Sequence, residues 1–297
     1  MEVLVNKPKF TFIDLFAGIG GFHLALHHLG GKCVFASEWD THARKTYEHN
    51  FSSLTPELFS TQMFKGDITL PENKDLIPEN IDLLCAGFPC QPFSQAGQKK
   101  GFDEARGTLF FEIAEILEKK QPKAFFLENV RHLLAHDNGE TFSVIKKILE
   151  DALGYSFYYK VIKASDYGLP TYRPRVFMIG FRSDIKEKIQ FDFPEPIPLQ
   201  LTMSDVFQGD CPKKIGYTIR VGGRGSGLHD RRNWDCYLVD GKERRLGTPE
   251  AKKMLGFPEQ FSFPVSELQA LKQLGNSVAV NAVQIVAEKI VENLTSL

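Results

Sequence analysis

The sequence predicts an α/β protein built on a doubly wound, mostly parallel sheet, with a small second domain attached. Short apolar runs alternate with amphipathic helical stretches as far as Phe181, the pattern of strand and helix taken in turn. A glycine-rich turn follows the first apolar run, where doubly wound sheets bind ligands. Beyond Phe181 the texture changes to proline-punctuated and then Gly-, Lys- and Arg-rich sequence, marking a different unit.

The elements follow in order. FTFIDLFAG (10–18) reads as a buried strand, FHLALHHLG (22–30) as a helix ending at glycine, and KCVFASEWD (32–40) as the next strand. IDLLCAGFP (81–89), PKAFFLENV (122–130), YSFYYKVI (155–162) and RVFMIGF (175–181) are further strands. LFFEIAEILEKK (109–120) and TFSVIKKILEDAL (141–153) carry the apolar spacing of helices between them. FDFPEPIPLQ (191–200) reads as a hinge. NSVAVNAVQIVAEKIVENL (276–294) has helical spacing and is too apolar to hang from a small basic unit, so it is expected to return to the large one. The expected division is 1–190 plus 275–297 as the large domain and 191–274 as the small one, without internal repeats.

Composition excludes several classes. The 297 residues are 42% hydrophobic and 25% charged, and no apolar run reaches the roughly 20 residues a membrane helix needs. MEVLVNKPKF at the start lacks a secretory core and cleavage site, so a cytoplasmic location is expected. Five cysteines without a CxxC pair argue against a disulfide framework and a zinc cluster, and no metal is expected. Net charge is −1, yet from Cys211 to Arg245 nine Lys or Arg face four acids, a candidate phosphate-contacting segment.

Several motifs carry chemistry. FAGIGGF (16–22) sits between strand and helix, where glycines admit a ligand to the backbone and the helix N-terminus points at it. Such a turn needs no ligand by itself, and the strict dinucleotide fingerprint is absent. Glu38, about 20 residues on at the next strand end, suits ribose hydroxyls, and Trp39 offers a flat face for a purine. An adenosine-containing ligand without pyrophosphate fits better than a nicotinamide dinucleotide. Asp67 in KGDIT is placed to accept from an adenine amino group, although Asp in a turn is common. GFPCQPFSQAG (87–97) is the sharpest feature: Cys90, between prolines after an apolar strand, has the setting of a thiolate nucleophile. ENV (128–130) brings Glu128 to the same sheet edge, where a carboxyl sharing a proton with a heterocycle would activate it for thiolate attack. In TYRPRVF, Arg173 and Arg175 share one side of an extended segment and suit an anion or carbonyl.

Taken together and in this order, FAGIGGF, ASEWD, GDIT, GFPCQPFSQAG, RGTLFF, ENV, RPRVF and QLGNSV resemble the motifs of the DNA cytosine-5 methyltransferases of bacterial restriction-modification systems, through nearly the whole chain. The resemblance implies the S-adenosylmethionine-dependent, Rossmann-like form of the doubly wound sheet with a small DNA-recognition domain. It implies that Phe16, Gly18, Ile19, Gly21, Glu38, Trp39, Asp67, Ile68, Pro89, Leu109, Asn276 and Val278 surround S-adenosylmethionine, with Glu38 on the ribose and Asp67 on the adenine. Cys90 would attack carbon 6 of a flipped-out cytosine, Glu128 would steady ring nitrogen 3, and Arg173 and Arg175 would hold the base and its surroundings. Gln91, Ser94 and Arg106 in the nucleophile loop, and Arg220, Arg224, Arg231 and Arg232 in the small domain, would face double-stranded DNA. The segment 94–107 would act as a closing lid. A monomer working beside a cognate restriction endonuclease is expected.

Two departures stand out. Thr171 occupies the place of the family's usual Gln, so a supporting hydrogen bond is expected to be lost. Gly247-Thr248-Pro249-Glu250 replaces Thr-Pro-Arg-Glu, removing an arginine that shapes the recognition domain. A tRNA cytosine-5 methyltransferase would keep every catalytic residue, but its Cys-Phe-Thr element is absent. A catalytically idle binder of cofactor or DNA would have lost Cys90 or ENV, and both remain.

Overall fold

The computed structural model describes residues 8–89 and 108–296. Cys90, Gln91, Ser94, Arg106 and the expected lid lie outside the described residues. The central sheet has seven strands: β1 (Phe10–Leu15), β2 (Gly31–Ser37), β3 (Phe64–Lys65), β4 (Leu83–Gly87), β5 (Ala124–Val130), β6 (Tyr158–Lys163) and β7 (Pro174–Phe181). Their order is β3-β2-β1-β4-β5-β7-β6. The first five run parallel, and β7 is antiparallel to both β5 and β6. The order reverses between β1 and β4, so the crevice beyond their carboxyl ends is where such a sheet binds ligands.

The expected strands and helices are present, with shifts that have physical causes. β1 stops at Leu15 rather than running on to Gly18, because Phe16 and Gly18 take positive φ (54° and 57°) and turn the chain. Helix α1 (Gly21–His28) then starts from Gly20, itself left-handed. Helix α2 (Thr41–Phe51), polar enough to escape the periodicity reading, is started by Asp40, whose carboxylate accepts from the His42 and Ala43 amides at 2.9 and 2.8 Å. Short helices α3 (Pro56–Ser60) and α4 (Pro71–Asp75) begin at prolines. Helix α5 (Leu109–Lys120) matches the expected span, and α6 (Glu140–Lys147) runs into a π-helical turn at Ile148–Ala152.

Two apolar layers cover the sheet. Phe12 and Phe126 point into one, with α1, α2 and the carboxyl-terminal helix α10 (Val280–Thr295). Ile13, Leu15, Phe125 and Leu127 point into the other, with α5 and α6. Alternate residues of a strand face opposite sides, which divides neighbouring phenylalanines of β5 between the layers. α10 packs on α1, as its apolar spacing predicts. Helix α7 (Met203–Phe207), hairpin β8 (Cys236–Val239) and β9 (Lys242–Arg245), and helices α8 (Thr248–Met254) and α9 (Glu267–Asn276) complete the fold. Met203, Tyr237, Leu246 and Met254 join the same apolar layer as Phe12, so residues 191–274 share the core of the sheet. Among the described residues no helix is long and apolar enough to cross a membrane.

Beneath the glycine turn this core contains polar groups. His23 is fully buried, stacks on Phe51 (4.1 Å between centroids) and meets the Tyr47 hydroxyl at 2.5 Å through Nδ1. Burial, aided by the charge of His27, pushes its pKa down to about 3. The Asp14 carboxyl is also fully buried; burial drives its pKa well above the carboxylate range, against a weaker pull from the His23 amide. The unfolded chain protonates His23 near pH 6.5 while the folded chain does not. Stability is therefore present above that pH and is lost as pH falls from 6.5 towards 3. Urea unfolding at pH 7.0 and 5.0 should show wild type losing ~2 kcal/mol more over that interval than His23→Phe. Equal losses would mean that His23 is not held neutral.

Candidate active site

The carboxyl ends of the parallel strands carry the residues singled out by sequence. The turn after β1 is held to β2 by the Ala17 amide, which donates to the Ser37 carbonyl at 2.9 Å. Its glycines have separate reasons. A Cβ on Gly20 would stand 2.3 Å from the Phe51 ring, and one on Gly21 would stand 2.5 Å from Val278, so those two let α1 pack on α2 and on the segment before α10. Gly18 has nothing within 4 Å of its missing Cβ, so it leaves room at the site itself.

Glu38 follows β2 and is mostly buried. Its Oε2 accepts the Gly18 amide and its Oε1 the Asp40 amide, each at 2.8 Å, so it fastens the glycine turn to the start of α2. Burial raises its pKa, while the two amides work to keep it charged. Each oxygen keeps a lone pair for a hydroxyl. Trp39 beside it is 78% exposed, a free aromatic face. Asp67 comes two residues after β3, its Oδ1 accepting the Thr69 amide at 2.9 Å. Ile19, Ile68 and Val278 are buried, Phe16 and Leu109 partly so, and Pro89 and Asn276 exposed. This donor and acceptor set fits a nucleoside-bearing cofactor: a paired carboxylate for a ribose, an exposed aromatic face, and an open glycine.

The second half of the site lies on β5. Glu128 sits opposite Gly87 of β4 and Phe177 of β7, and Arg175 Nε lies 2.9 Å from its Oε1. The contact is an ion pair outside hydrogen-bond alignment, since Oε1 is buried and accepts no bond from the protein. Burial raises the Glu128 pKa, and Arg175 and then Arg173 lower it; the net direction is up. A carboxyl in that setting keeps its proton to higher pH than a solvated one. The neighbouring Asn129, whose role the sequence reading did not single out, is buried and donates through Nδ2 to the Phe88 carbonyl at 2.8 Å. It thereby fixes the backbone that leads through Pro89 to Cys90. The signal was present, an amide in an otherwise apolar strand, but its target is 41 residues away.

Arg173 and Arg175 do not both face one ligand, as the alternation of an extended segment suggested. Arg173 is 2% exposed, and its Nη groups donate to the carbonyls of Ile219 (3.4 Å), Gly275 (3.0 Å) and Ser277. It holds the chain together beneath the site, where Arg175 touches Glu128. Thr171 replaces whatever bond the family's Gln makes with one of its own, Oγ1 to the Tyr217 carbonyl at 3.0 Å. At Gly247-Thr248-Pro249-Glu250, the Glu250 carboxylate accepts the Gly247 amide at 2.9 Å and starts α8 without an arginine at 249.

The basic segment is less free than its composition suggests. Arg224 and Arg245 converge on the buried carboxylate of Asp235, at 3.3 and 3.0 Å, and Arg232 pairs with Asp230 at 2.9 Å. Arg220 and Arg231 remain exposed. Asp235 was missed by sequence reading because an acid amid arginines looks like ordinary charge balance. Cys33, Cys85, Cys211 and Cys236 are buried, and burial pushes each thiol up, away from thiolate character. Asn129→Ala should cost ~1–3 kcal/mol by stranding the Phe88 carbonyl. Activity of the site should fall further than in an equally destabilising core variant such as Ile113→Ala; matched losses would make Asn129 purely structural.

Comparison with known proteins identifies the family. The family profile described as C-5 cytosine-specific DNA methylase matches residues 10–221 and 213–292. The chain is 41% identical to Type II methyltransferase M.HpaII of Haemophilus parainfluenzae over 98% of its length and 92% of the relative's. It is 39% identical to Type II methyltransferase M.HhaI of Haemophilus parahaemolyticus, covering 95% and 94%. Among solved structures, a putative DNA modification methyltransferase encoded within an Escherichia coli prophage shares the fold with a TM-score of 0.71 at 21% identity, over 97% of this chain and all of that one. The Dnmt2 methyltransferase of S. pombe does so at 0.69 and 18%, over 95% and 98%. The extent of the profile match and of the identity to these relatives places the chain in one family: it belongs to the C-5 cytosine-specific DNA methylases.

Proposed function

We propose that the DNA cytosine-5 methylation performed by this chain proceeds through a covalent adduct between Cys90 and carbon 6 of a cytosine turned out of the duplex. The observation that carries this reading is the Glu128–Arg175 pair beside the Gly87–Phe88–Pro89 backbone, on the same sheet edge as Glu38 and the glycine turn. S-adenosylmethionine, when bound, supplies an electrophilic methyl group. Glu38 would hold its ribose, Trp39 its purine and Asp67 the adenine amino group, with Phe16, Gly18, Ile19, Gly21, Ile68, Pro89, Leu109, Asn276 and Val278 around them.

Carbon 5 of cytosine is a weak nucleophile. Addition of the Cys90 thiolate at carbon 6 turns the ring into an enamine whose carbon 5 accepts the methyl group; loss of the carbon 5 proton then expels the thiolate. Glu128, with its raised pKa, shares a proton with ring nitrogen 3 as negative charge develops there, and Arg175 steadies the carboxyl. Arg173 acts through the backbone it holds. The base must leave the stack for this chemistry, at a cost of about a few kcal/mol.

We assign residues 191–274 to DNA recognition and the remainder to catalysis, a division by role, since the two share one core. The substrate is double-stranded DNA in the cytoplasm, and the chain works as a monomer beside a cognate restriction endonuclease. Labelled methyl from S-adenosylmethionine should appear at one cytosine of a short duplex motif when 5-methylcytosine is mapped at base resolution. Label confined to tRNA would overturn the assignment. Cys90→Ala should abolish transfer while still binding DNA, and it should lose trapping by a 5-fluorocytosine duplex. Glu128→Gln should lower kcat by roughly 10²–10⁴-fold with little change in KM.

A further inference from the structure

We propose that Arg220 reads the edge of a guanine adjoining the target cytosine, an inference that rests on the methyltransferase reading above. Four arginines between Gly216 and Gly241 were expected to face DNA, and the structure sorts them. Arg224 donates through Nε to Asp235 (3.3 Å) and through Nη2 to the Leu246 carbonyl (2.8 Å). Arg232 grips Asp230 through Nε and Nη2 at 3.2 and 2.9 Å. Those two shape the segment. Arg220 and Arg231 are exposed and make no side-chain hydrogen bond or ion pair among the described residues.

The two free arginines differ in footing. On one side of Arg220, the Ile219 carbonyl accepts from Arg173 Nη1 at 3.4 Å, and Thr218 Oγ1 donates to the Tyr172 carbonyl at 2.7 Å. Behind it, Gly275 lies so close that a Cβ there would stand 2.9 Å from the Arg220 carbonyl carbon and 3.0 Å from its oxygen. Tyr172 and Arg173 lead directly into β7, where Arg175 meets Glu128. The Arg220 backbone is therefore stitched to the strand that would hold the flipped base. Arg231 sits on a local turn closed by the Asn233 amide on the Asp230 carbonyl at 2.9 Å.

Reading a base requires a donor fork at a fixed distance from the reacting cytosine, whereas a phosphate contact tolerates a looser mount. The guanidinium matches O6 and N7 of guanine with two parallel hydrogen bonds. Space for the duplex is present alongside: the missing side chains of Gly222, Gly223, Gly225 and Gly227 would meet nothing within 4 Å.

The test is methyl transfer by the full chain to a pool of duplexes randomised around the modified cytosine, mapped at base resolution, for wild type, Arg220→Ala, Arg220→Lys and Arg231→Ala. Both Arg220 variants should lose roughly 10- to 100-fold in kcat/KM on the wild-type motif, and one adjoining guanine position should become degenerate. Their unfolding midpoints should stay at the wild-type value. Arg231→Ala should weaken binding evenly across sequences and reduce the slope of log affinity against log salt by about 1. Unchanged base preference in both Arg220 variants, with or without slower transfer, overturns the proposal, as does degeneracy produced by Arg231→Ala instead. Wild type that marks no DNA would defeat the methyltransferase reading itself, and this proposal with it.

Discussion

A guanidinium taken out of water must find acceptors close at hand, and Arg173 finds three carbonyls on two stretches of chain far from it in sequence. Ile219 belongs to the basic segment, Gly275 to the end of α9, and Ser277 to the turn before α10, while Arg173 itself immediately precedes β7. Together with the bonds of Thr171 and Thr218, this side chain ties the start of β7 to the basic segment and to the return of the chain to the sheet. Burial, aided by the charge of Arg175, lowers its pKa to about 9, and Glu128 nearby offsets part of that. Burial of this kind is costly to break, because loss of the guanidinium would strand all three carbonyls. An arginine that resembles a substrate ligand in the sequence is, in the fold, what keeps the ligands in register.

The site follows from that frame by small steps along the carboxyl edge. Glu38 closes the glycine turn onto α2, Asn129 fixes the backbone leading to Cys90, and Arg175 meets Glu128 across β5 and β7. Each is a polar group largely removed from water, so each is strong enough to hold its geometry and depends on its partner to be tolerated at all. The raised pKa of Glu128 belongs to the same balance: burial outweighs two nearby arginines, and the carboxyl keeps a proton where a solvated one would not. Buried but not hydrogen-bonded through Oε1, it retains capacity for a substrate.

Charge in the basic segment obeys the same economy. Its excess of basic residues reads from composition as a surface for phosphates, yet Asp235 and Asp230 absorb much of it to shape the loops. Two buried or half-buried carboxylates decide which of these arginines are paired and which stay exposed. Glycines around them leave open space beside the backbone.

The sequence by itself determined the elements and the chemistry. Apolar runs of strand length, the helical spacing of 109–120, and the order FAGIGGF, GFPC, ENV and GNSV are local patterns that need no partner to be recognised. Glu38, Glu128 and Arg175 were legible because strand ends in such a sheet share one edge. Only the tertiary structure decided the partners: that Arg173 serves carbonyls up to 104 residues away, that Asn129 holds Phe88, that Gly20 and Gly21 make room for Phe51 and Val278, and that α2 buries Tyr47 and Phe51 against His23. The physical reason is that a hydrogen bond or a close contact is a property of two surfaces brought together. Sequence spacing specifies each surface and leaves open which other one it meets.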